Sequence, residues 1–303
     1  MSNCILYLSS TIFRYMFLYQ RGFRWLAIGL LGFFGVTSCN NSPKENTVLD
    51  RDPKSDSAKK AYLAKIGAGP KAPEQPFEAD SNKLYVYLTF DDGPQPGTVS
   101  CYNICKAEGI KASFFMVALH QQRKRDGKQI VGMIRNGYPQ FLLANHSFDH
   151  TMEKYKYFYQ HPDMAFDNFM RAQDTLQVPK KIIRLPGNGG WVLQNQVKTS
   201  HLVSAVAHRL DSAGYSVIGW DLEWNFNHKN ARPVQSPEKL AAQLDSAFSK
   251  HNEHISKNVV ILSHDRMFQR SADSASLVKF IQLMKQNPKY VFETVDHYPG
   301  AKK

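Results

Sequence analysis

Short apolar runs alternate with segments of helical period from Lys83 to the end of the chain. The apolar runs occupy residues 84–90, 113–117, 140–144, 181–185, 215–220, 259–263 and 290–295. The helical segments between them lie near residues 98–108, 127–136, 164–177, 198–213, 237–250 and 272–287. Such alternation predicts an α/β fold with a mainly parallel sheet and helices packed outside it. About seven strands are many for a small open sheet. We therefore predict a closed or nearly closed β/α barrel, with a doubly wound open sheet as the alternative.

The N-terminal part of the chain has a different pattern. Arg21 and Arg24 precede the apolar run WLAIGLLGFFGV (25–36), and VTSC (36–39) follows. About twelve apolar residues are too few for a membrane-spanning helix, which needs roughly twenty. Basic residues, a short apolar run and small residues are typical of a secretory signal peptide. The VTSC stretch resembles a bacterial lipobox, which predicts cleavage before Cys39 and lipidation of that cysteine. An uncleaved short anchor is the alternative.

This pattern divides the chain into three segments. We predict a lipoprotein signal peptide at 1–38, a lipid-anchored flexible tether at 39–82 and a folded domain at 83–303. The tether is rich in small and polar residues and poor in large apolar ones, which is typical of a flexible linker. Met16 is a more usual start for such a signal than Met1. Because two acyl chains anchor a protein stably, we expect attachment to a bacterial membrane outside the cytoplasm, on the periplasmic face or the cell surface.

Charge and cysteine content exclude some classes of protein. The formal net charge is +12, but the basic residues are scattered and form no nucleic-acid-binding motif. We therefore expect no nucleic acid partner, and no obligate protein partner is evident. Cys101 and Cys105 are four apart in a helical segment and share one face of it. A disulfide there would be strained, so we predict two small buried side chains rather than a bridge or a metal site.

Polar and ionisable residues follow five of the apolar runs. They are Asp91-Asp92, Asn145-His146, Arg184 to Gly187, Asp221 to Trp224 and His264-Asp265. In a β/α barrel the C-terminal ends of the strands meet at one mouth, where the chemistry of such folds is placed. Turn composition alone explains aspartate and glycine at these positions, but not histidine, arginine and tryptophan. We expect these five strand ends to form one site.

The stretch HSFDH (146–150) predicts a metal site. His146 and His150 are four apart, which is a usual spacing for two metal ligands. Two histidines and one carboxylate leave a position for water, as in catalytic zinc sites, and a bound water can ionise near neutral pH. Adjacent residues of a strand point in different directions. Of Asp91 and Asp92, one can bind the metal while the other acts as a base, and the cation offsets their repulsion.

The remaining strand ends offer supporting groups. Arg184 could hold the non-ligand aspartate ionised through a bidentate contact. The glycines of RLPGNGG (184–190) allow a backbone N–H to approach a ligand and stabilise an oxyanion, although a plain glycine-rich loop is the alternative. His264 could protonate a leaving group, or it could be a hydrogen-bonded core histidine.

The stretch WDLEW (220–224) has two interpretations. Asp221 and Glu223 could orient His264, and Trp224 could form the wall of a sugar pocket. Alternatively, the tryptophans are core residues.

The order of these motifs resembles the polysaccharide deacetylases with a NodB homology domain, which form carbohydrate esterase family four. The matching stretches are TFDDGP (89–94), HSFDH (146–150), RLPGNGG (184–190), WDLEW (220–224) and LSH (262–264). The resemblance implies an irregular β/α barrel and one divalent metal, commonly zinc, with cobalt or nickel as substitutes.

The resemblance also implies a role for each site residue. Asp91 would be the general base, and Asp92, His146 and His150 would hold the metal. Arg184 would tether the base, the N–H near Gly187 would help to bind the oxyanion, and His264 would be the general acid. The fourth motif departs from the family, which has two aspartates three apart before the tryptophan. Which of Asp221 and Glu223 supports His264 therefore stays open.

These features predict a metal-dependent hydrolase that removes N-acetyl groups from a cell-envelope glycan. The expected substrates are peptidoglycan GlcNAc or MurNAc residues, or chitin-like oligomers. An O-acetyl esterase of the acetyl-xylan type would use the same residues. A catalytically inactive glycan-binding lipoprotein is an alternative of another class. A metal-storage or metal-delivery lipoprotein is a third, but storage has no use for Arg184 and His264.

Overall fold

The computed structural model describes residues 77–302. The predicted signal peptide, the predicted lipidation site Cys39 and residues 39–76 of the predicted tether lie outside the described residues. Among the described helices, none is both long enough and apolar enough to span a bilayer.

Ten strands form one sheet within residues 77–302. They are β1 (Leu84–Gly93), β2 (Ala112–Met116), β3 (Phe141–Asn145), β4 (Ile182–Ile183), β5 (Trp191–Leu193), β6 (Gln196–Lys198), β7 (Ser216–Val217), β8 (Leu222–Glu223), β9 (Asn258–His264) and β10 (Tyr290–Phe292). Their order is β6-β5-β7-β4-β3-β2-β1-β9-β8, and β10 pairs with the start of β1. All pairings are parallel except those of β5 with β6 and with β7. This confirms the predicted irregular β/α barrel in its nearly closed form. The path ends at β6 and β8, which do not pair in the described part of the chain.

Eight α-helices accompany the sheet in the described residues. They are α1 (Thr98–Ala107), α2 (Ala118–Arg123), α3 (Gly127–Asn136), α4 (Tyr155–Gln160), α5 (Pro162–Leu176), α6 (Ser204–Ser212), α7 (Pro237–Lys250) and α8 (Ser271–Lys285). Each of the six predicted helical segments overlaps one of them. The two unpredicted helices, α2 and α4, have six residues each, which is too short for a clear helical period. Both lie beside the site described below.

The side chains of β1 alternate between two cores. Val86, Leu88 and Phe90 pack outward in the cluster that includes helices α1, α3, α7 and α8. Tyr85 and Tyr87 pack inward, in the cluster that fills the barrel. Because successive strand residues face opposite sides of a sheet, the inward row continues through residues 89 and 91. The alternation therefore carries the first aspartate of the Asp-Asp pair into the interior of the barrel.

Two local predictions can be compared with the fold directly. Cys101 and Cys105 lie on α1, are fully buried and form no disulfide, which confirms the prediction of two small buried side chains. The predicted helix at 198–213 begins later than expected, because residues 191–198 form the β5–β6 hairpin and α6 begins at Ser204. Strands of three residues are too short to show a period of two in the sequence.

Candidate active site

The site forms around an ion pair inside the barrel. Arg184, which follows β4, is fully buried, and its Nη1 atom donates to Asp91 Oδ1 at 2.8 Å. Nη1 also donates to the Thr89 hydroxyl at 2.6 Å. Nε and Nη2 donate to the carbonyl oxygens of Ile218 and Gly219, at 3.0 and 2.9 Å. The predicted bidentate contact with Asp91 is therefore wrong. The other guanidinium donors are taken by the backbone that follows β7.

Burial dominates the electrostatics of Asp91. Its side chain is almost inaccessible to solvent, and this desolvation raises the pKa of the carboxyl group above its ordinary value. The Arg184 guanidinium acts in the opposite direction, as does His264. A carboxylate with a raised pKa accepts a proton more readily near neutral pH than an exposed one does. The environment of Asp91 thus suits a general base.

Asp92 follows the last residue of the inward row of β1 and lies close to both histidines of the HSFDH stretch. Its backbone has a left-handed conformation, with φ of 69°. Its Oδ1 atom lies 3.2 Å from His150 Nε2 and 3.5 Å from His146 Nε2. Burial alone would raise the pKa of Asp92, but the imidazoles of His150, His264 and His146 outweigh it and lower the pKa.

These three side chains fit a divalent cation. One ligand atom from each of Asp92, His146 and His150 lies within 4.8 Å of the others. Asp92 Oδ1 is buried, yet no donor from the described residues is hydrogen-bonded to it. A buried carboxylate oxygen without a donor is costly, and a cation satisfies it. Two imidazoles and one carboxylate are a usual donor set for catalytic zinc.

His146 is set up as a neutral ligand. It follows β3, and its Nδ1 atom lies 2.9 Å from the Arg184 carbonyl oxygen. Because a carbonyl only accepts, Nδ1 carries the hydrogen and the lone pair is on Nε2, which faces Asp92. Burial, and then the neighbouring His150, lower the pKa of His146 to about 3. The ring is therefore unprotonated near neutral pH, as a metal ligand must be.

His150 lies in the turn after His146 and is oriented by a side chain. Its Nδ1 atom lies 3.0 Å from Glu153 Oε1. A carboxylate partner again places the hydrogen on Nδ1 and leaves Nε2 for a cation. The backbone N–H of His150 donates to the Ser147 hydroxyl at 3.0 Å.

His120 was not among the predicted site residues. It lies on α2, and its Nδ1 atom donates to the Asp92 carbonyl oxygen at 2.6 Å. This bond supports the left-handed backbone of Asp92, which is unfavourable for a residue with a side chain. Nothing in the sequence around α2 indicated that contact, because it joins residues that are far apart in the chain.

His264 ends β9 directly beside Asp91, its partner in the parallel register. Its Nε2 atom lies 3.7 Å from Asp92 Oδ2. Its Nδ1 atom is buried and has no hydrogen-bond partner among the described residues. The ring packs edge to face against Phe226, with centroids 4.9 Å apart. An aromatic contact therefore supports His264, where the sequence predicted a carboxylate.

Asp221 is placed away from His264. Its two carboxylate oxygens accept the backbone N–H groups of His254 and Val260, at 2.6 and 2.7 Å. Asp221 thus secures β9, and the prediction that it orients His264 or binds substrate is wrong. Glu223 lines the site cavity together with His264, but no hydrogen bond between the two is present.

Trp224 is a core residue and not the wall of a sugar pocket. It is fully buried against Phe268 and Phe280, and its Nε1 donates to the Gln235 carbonyl oxygen at 3.0 Å. Because strand residues alternate, Trp224 shares the outer face of β8 with Leu222, and Glu223 faces inward. Trp220 lines the cavity in its place.

A cavity of about 260 Å³ joins these groups. Its lining includes Asp91, both histidines of the HSFDH stretch, Trp220, Glu223 and His264. Gly187 and Tyr155 face each other on another wall. Gly187 has φ of 63°, and a Cβ atom there would lie 3.0 to 3.3 Å from the Tyr155 ring. Only glycine fits both the backbone and the space.

Comparisons with known proteins show which families the chain resembles. Residues 78–186 match the family model of polysaccharide deacetylases. The chain is 25% identical to a chitin disaccharide deacetylase of Vibrio alginolyticus, over 73% of each protein. It is 23% identical to a peptidoglycan-N-acetylglucosamine deacetylase of Bacillus cereus, over 71% of this chain and 89% of the relative.

Solved structures share the fold. The catalytic domain of a peptidoglycan N-acetylglucosamine deacetylase from Eubacterium rectale superposes with a TM-score of 0.54 at 22% identity, over 76% of this chain and 96% of that domain. A Streptococcus mutans esterase of carbohydrate esterase family four gives 0.51 at 20% identity, over 77% and 90%. The motifs, the barrel and the family match over residues 78–186 together support a resemblance to the NodB-like polysaccharide deacetylases of carbohydrate esterase family four.

Proposed function

We propose that this chain is a metal-dependent hydrolase that removes N-acetyl groups from a cell-envelope glycan. The observation that carries the proposal is the convergence of five strand ends on one cavity. There a buried base candidate, a three-residue cation site and a second histidine lie around about 260 Å³ of space. Storage or simple binding does not need the buried Arg184 to Asp91 pair.

Asp92, His146 and His150 would hold the cation, which we propose to be zinc, with cobalt or nickel as substitutes. When bound, a divalent cation polarises a carbonyl and lowers the pKa of water. The open arrangement of two histidines and one carboxylate leaves room for substrate and water.

Asp91 takes the proton of the attacking water. Arg184 holds its Oδ1 atom, and its Oδ2 atom lies 3.7 Å from His146 Nε2 and so faces the ligand set. The single contact with Arg184 leaves one carboxylate oxygen available for the proton. General bases of this kind contribute roughly 10² to 10⁴ to the rate.

His264 donates a proton to the departing nitrogen as the bond between the acetyl carbon and nitrogen breaks, which yields acetate and a free amine. Its Nε2 atom lies 3.7 Å from Asp92 Oδ2, whereas His146 Nε2 lies 3.5 Å from the other oxygen, Oδ1. The backbone N–H near Gly187 is the proposed donor to the oxyanion, and Gly187 lines the cavity. Trp220 offers an aromatic face to a sugar ring.

The nature of the glycan is proposed from two sources. The relatives named above act on chitin disaccharide and on peptidoglycan N-acetylglucosamine. Lipidation at Cys39 in the VTSC stretch would attach the chain to the cell envelope, which contains peptidoglycan. GlcNAc or MurNAc residues of peptidoglycan are therefore the first choice and chitin-like oligomers the second. Removal of O-acetyl groups is the alternative reaction, and an inactive glycan-binding protein is the alternative class.

The test is acetate release by the purified chain. The protein is stripped of metal and assayed with and without added zinc on peptidoglycan, chitin oligomers and acetylated xylan. We expect release only with zinc, and on an N-acetylated glycan. Release from xylan alone would replace the proposed reaction with O-acetyl removal. Absence of release on all three, from protein shown to hold one metal, would favour the binding protein.

A further inference from the structure

The turn that carries His150 has an unusual backbone. His150, Thr151, Met152 and Glu153 all have positive φ, at 54, 58, 48 and 61°. Positive φ is unfavourable for residues with a side chain, and four in succession persist only where other contacts hold them. Strained backbone of this kind clusters at functional sites. The conformation returns the chain on itself, so that residue 153 lies beside residue 150.

Glu153 connects this turn to the next helix. Its Oε1 atom lies 3.0 Å from His150 Nδ1, and its Oε2 atom accepts the Tyr155 hydroxyl at 2.7 Å. The Glu153 side chain is 74% exposed. Burial therefore does not hold it in place, and these two bonds are what direct it towards His150.

Tyr155 lines the site cavity as well as donating to Glu153. Its ring lines the cavity and covers the position at Gly187 that a side chain would occupy. It is also perpendicular to the His150 ring, with centroids 5.8 Å apart. The Tyr155 side chain thus contacts Glu153, which supports His150, and also Gly187, which lines the proposed oxyanion site.

The two ligand histidines are supported differently. The Nδ1 atom of His146 donates to a backbone carbonyl, which no substitution of a single side chain removes. The Nδ1 atom of His150 donates to an exposed side chain, and that side chain depends on Tyr155. Carboxylate partners of this kind fix the ring tautomer and raise the basicity of a ligand histidine.

We propose that Glu153 and Tyr155 form a positioning pair, which holds the His150 ring in the orientation that binds the cation and joins it to the substrate wall at Gly187. This inference rests on the proposed metal-dependent function. Both residues act through His150 and not on the reacting atoms. Glu153 supplies the charge and the acceptor, and Tyr155 holds Glu153 in place.

The test measures zinc binding in the absence of substrate, by calorimetry on the metal-stripped full chain. We expect Glu153→Ala to weaken zinc binding by about 10- to 100-fold, as loss of an outer partner does. Glu153→Gln keeps the acceptor but not the charge and should fall between Ala and wild type. Tyr155→Phe keeps the ring and should weaken binding by a smaller factor. The matched controls are Tyr157→Phe, an exposed tyrosine on the same helix, and Glu238→Gln, an exposed glutamate on α7. Both should bind zinc as wild type does.

A second readout does not need the metal. Nitrogen NMR of the metal-free chain should show His150 with its hydrogen on Nδ1, and mixed tautomers in Glu153→Ala. The pair is overturned if Glu153→Ala and Tyr155→Phe both bind zinc like wild type, or if the His150 tautomer is unchanged in Glu153→Ala. If wild type itself binds no zinc, the proposed metal dependence fails, and the tautomer measurement still decides whether the pair positions His150.

Discussion

The Arg184 guanidinium and the Asp91 carboxylate form an ion pair inside the barrel, with Nη1 and Oδ1 2.8 Å apart and side chains that are 0 and 3% exposed. Arg184 also binds Thr89 on β1 and two carbonyl groups after β7. The pair therefore joins the proposed base to strands from two parts of the sheet. Its removal should affect both catalysis and stability, and the two effects can be separated.

Asp91→Asn should reduce acetate release by at least about a hundredfold, because the amide cannot accept the proton of water. Metal content should stay unchanged, since Asp91 is not in the ligand set. Acetate release and metal analysis of the same preparation check both expectations. A variant with near-wild-type rates would show that another group is the base.

Arg184→Met should destabilise the fold by about 3–5 kcal/mol, because it leaves the buried Asp91 carboxylate without its partner. Denaturant unfolding measures the difference. The double variant Arg184→Met with Asp91→Asn is the control, since it removes both charges, and part of the stability should return. A single variant within about 1 kcal/mol of wild type would contradict a structural role for the pair.

The two tryptophans of the WDLEW stretch should respond differently to truncation. Trp224→Ala should cost about 3–5 kcal/mol of stability, because it empties space in the core beside Phe268 and Phe280. Trp220→Ala should change stability less and raise KM for the glycan, because Trp220 lines the cavity. Unfolding curves and steady-state kinetics on both variants make the comparison. A raised KM for Trp224→Ala, with the larger loss of stability for Trp220→Ala, would indicate that Trp224 and not Trp220 contacts the sugar.

Phe226→Ala should lower kcat with little change in metal affinity. The Phe226 ring packs on His264, whose Nδ1 atom has no hydrogen-bond partner in the described residues. Small misplacement of a reacting group can cost up to about a hundredfold in rate. Phe226→Leu, which keeps an apolar contact, should lose less than Phe226→Ala. Equal kcat for wild type and Phe226→Ala would mean that the loop after β8 does not position His264.

The stability of the metal-free chain should depend on pH through Asp265. Burial raises the pKa of this carboxyl group to about 8, from an ordinary value of 3.8. Between about pH 4 and about pH 8 the folded chain holds a proton that the unfolded chain has lost. Stability should therefore fall as pH rises through this window, by up to about 1.4 kcal/mol per unit. Urea midpoints at pH 5 and pH 8 measure this contribution.

The matched variant for that measurement is Asp265→Asn, which keeps the size of the side chain and cannot ionise. The free energy of unfolding of this variant should change less with pH than that of wild type. The stability of the variant relative to wild type should therefore increase as pH rises. Equal slopes for the two proteins would assign the pH dependence to other groups.

The sequence by itself determined the α/β class, favoured the barrel over an open sheet and predicted the three residues that could hold a cation. Alternation of strand and helix is a local pattern, and it predicts a sheet with helices outside whatever the details of packing. His146 and His150 are only four residues apart in the chain, so their spacing alone indicated that both rings could bind one cation. The period of two along β1 likewise separated Asp91 from Asp92.

Only the tertiary structure decided how the supporting residues are arranged. The register of β8 with β9 places Glu223 inward and Trp224 in the outer core. Trp220 lies before β8, outside that register, and lines the cavity. Arg184 makes a single bond to Asp91 because backbone carbonyls from residues 218 and 219 take its other donors. His120 and Phe226 reach the site from loops and short helices. Such contacts join residues that are distant in the chain, and a pattern of local period contains no information about them.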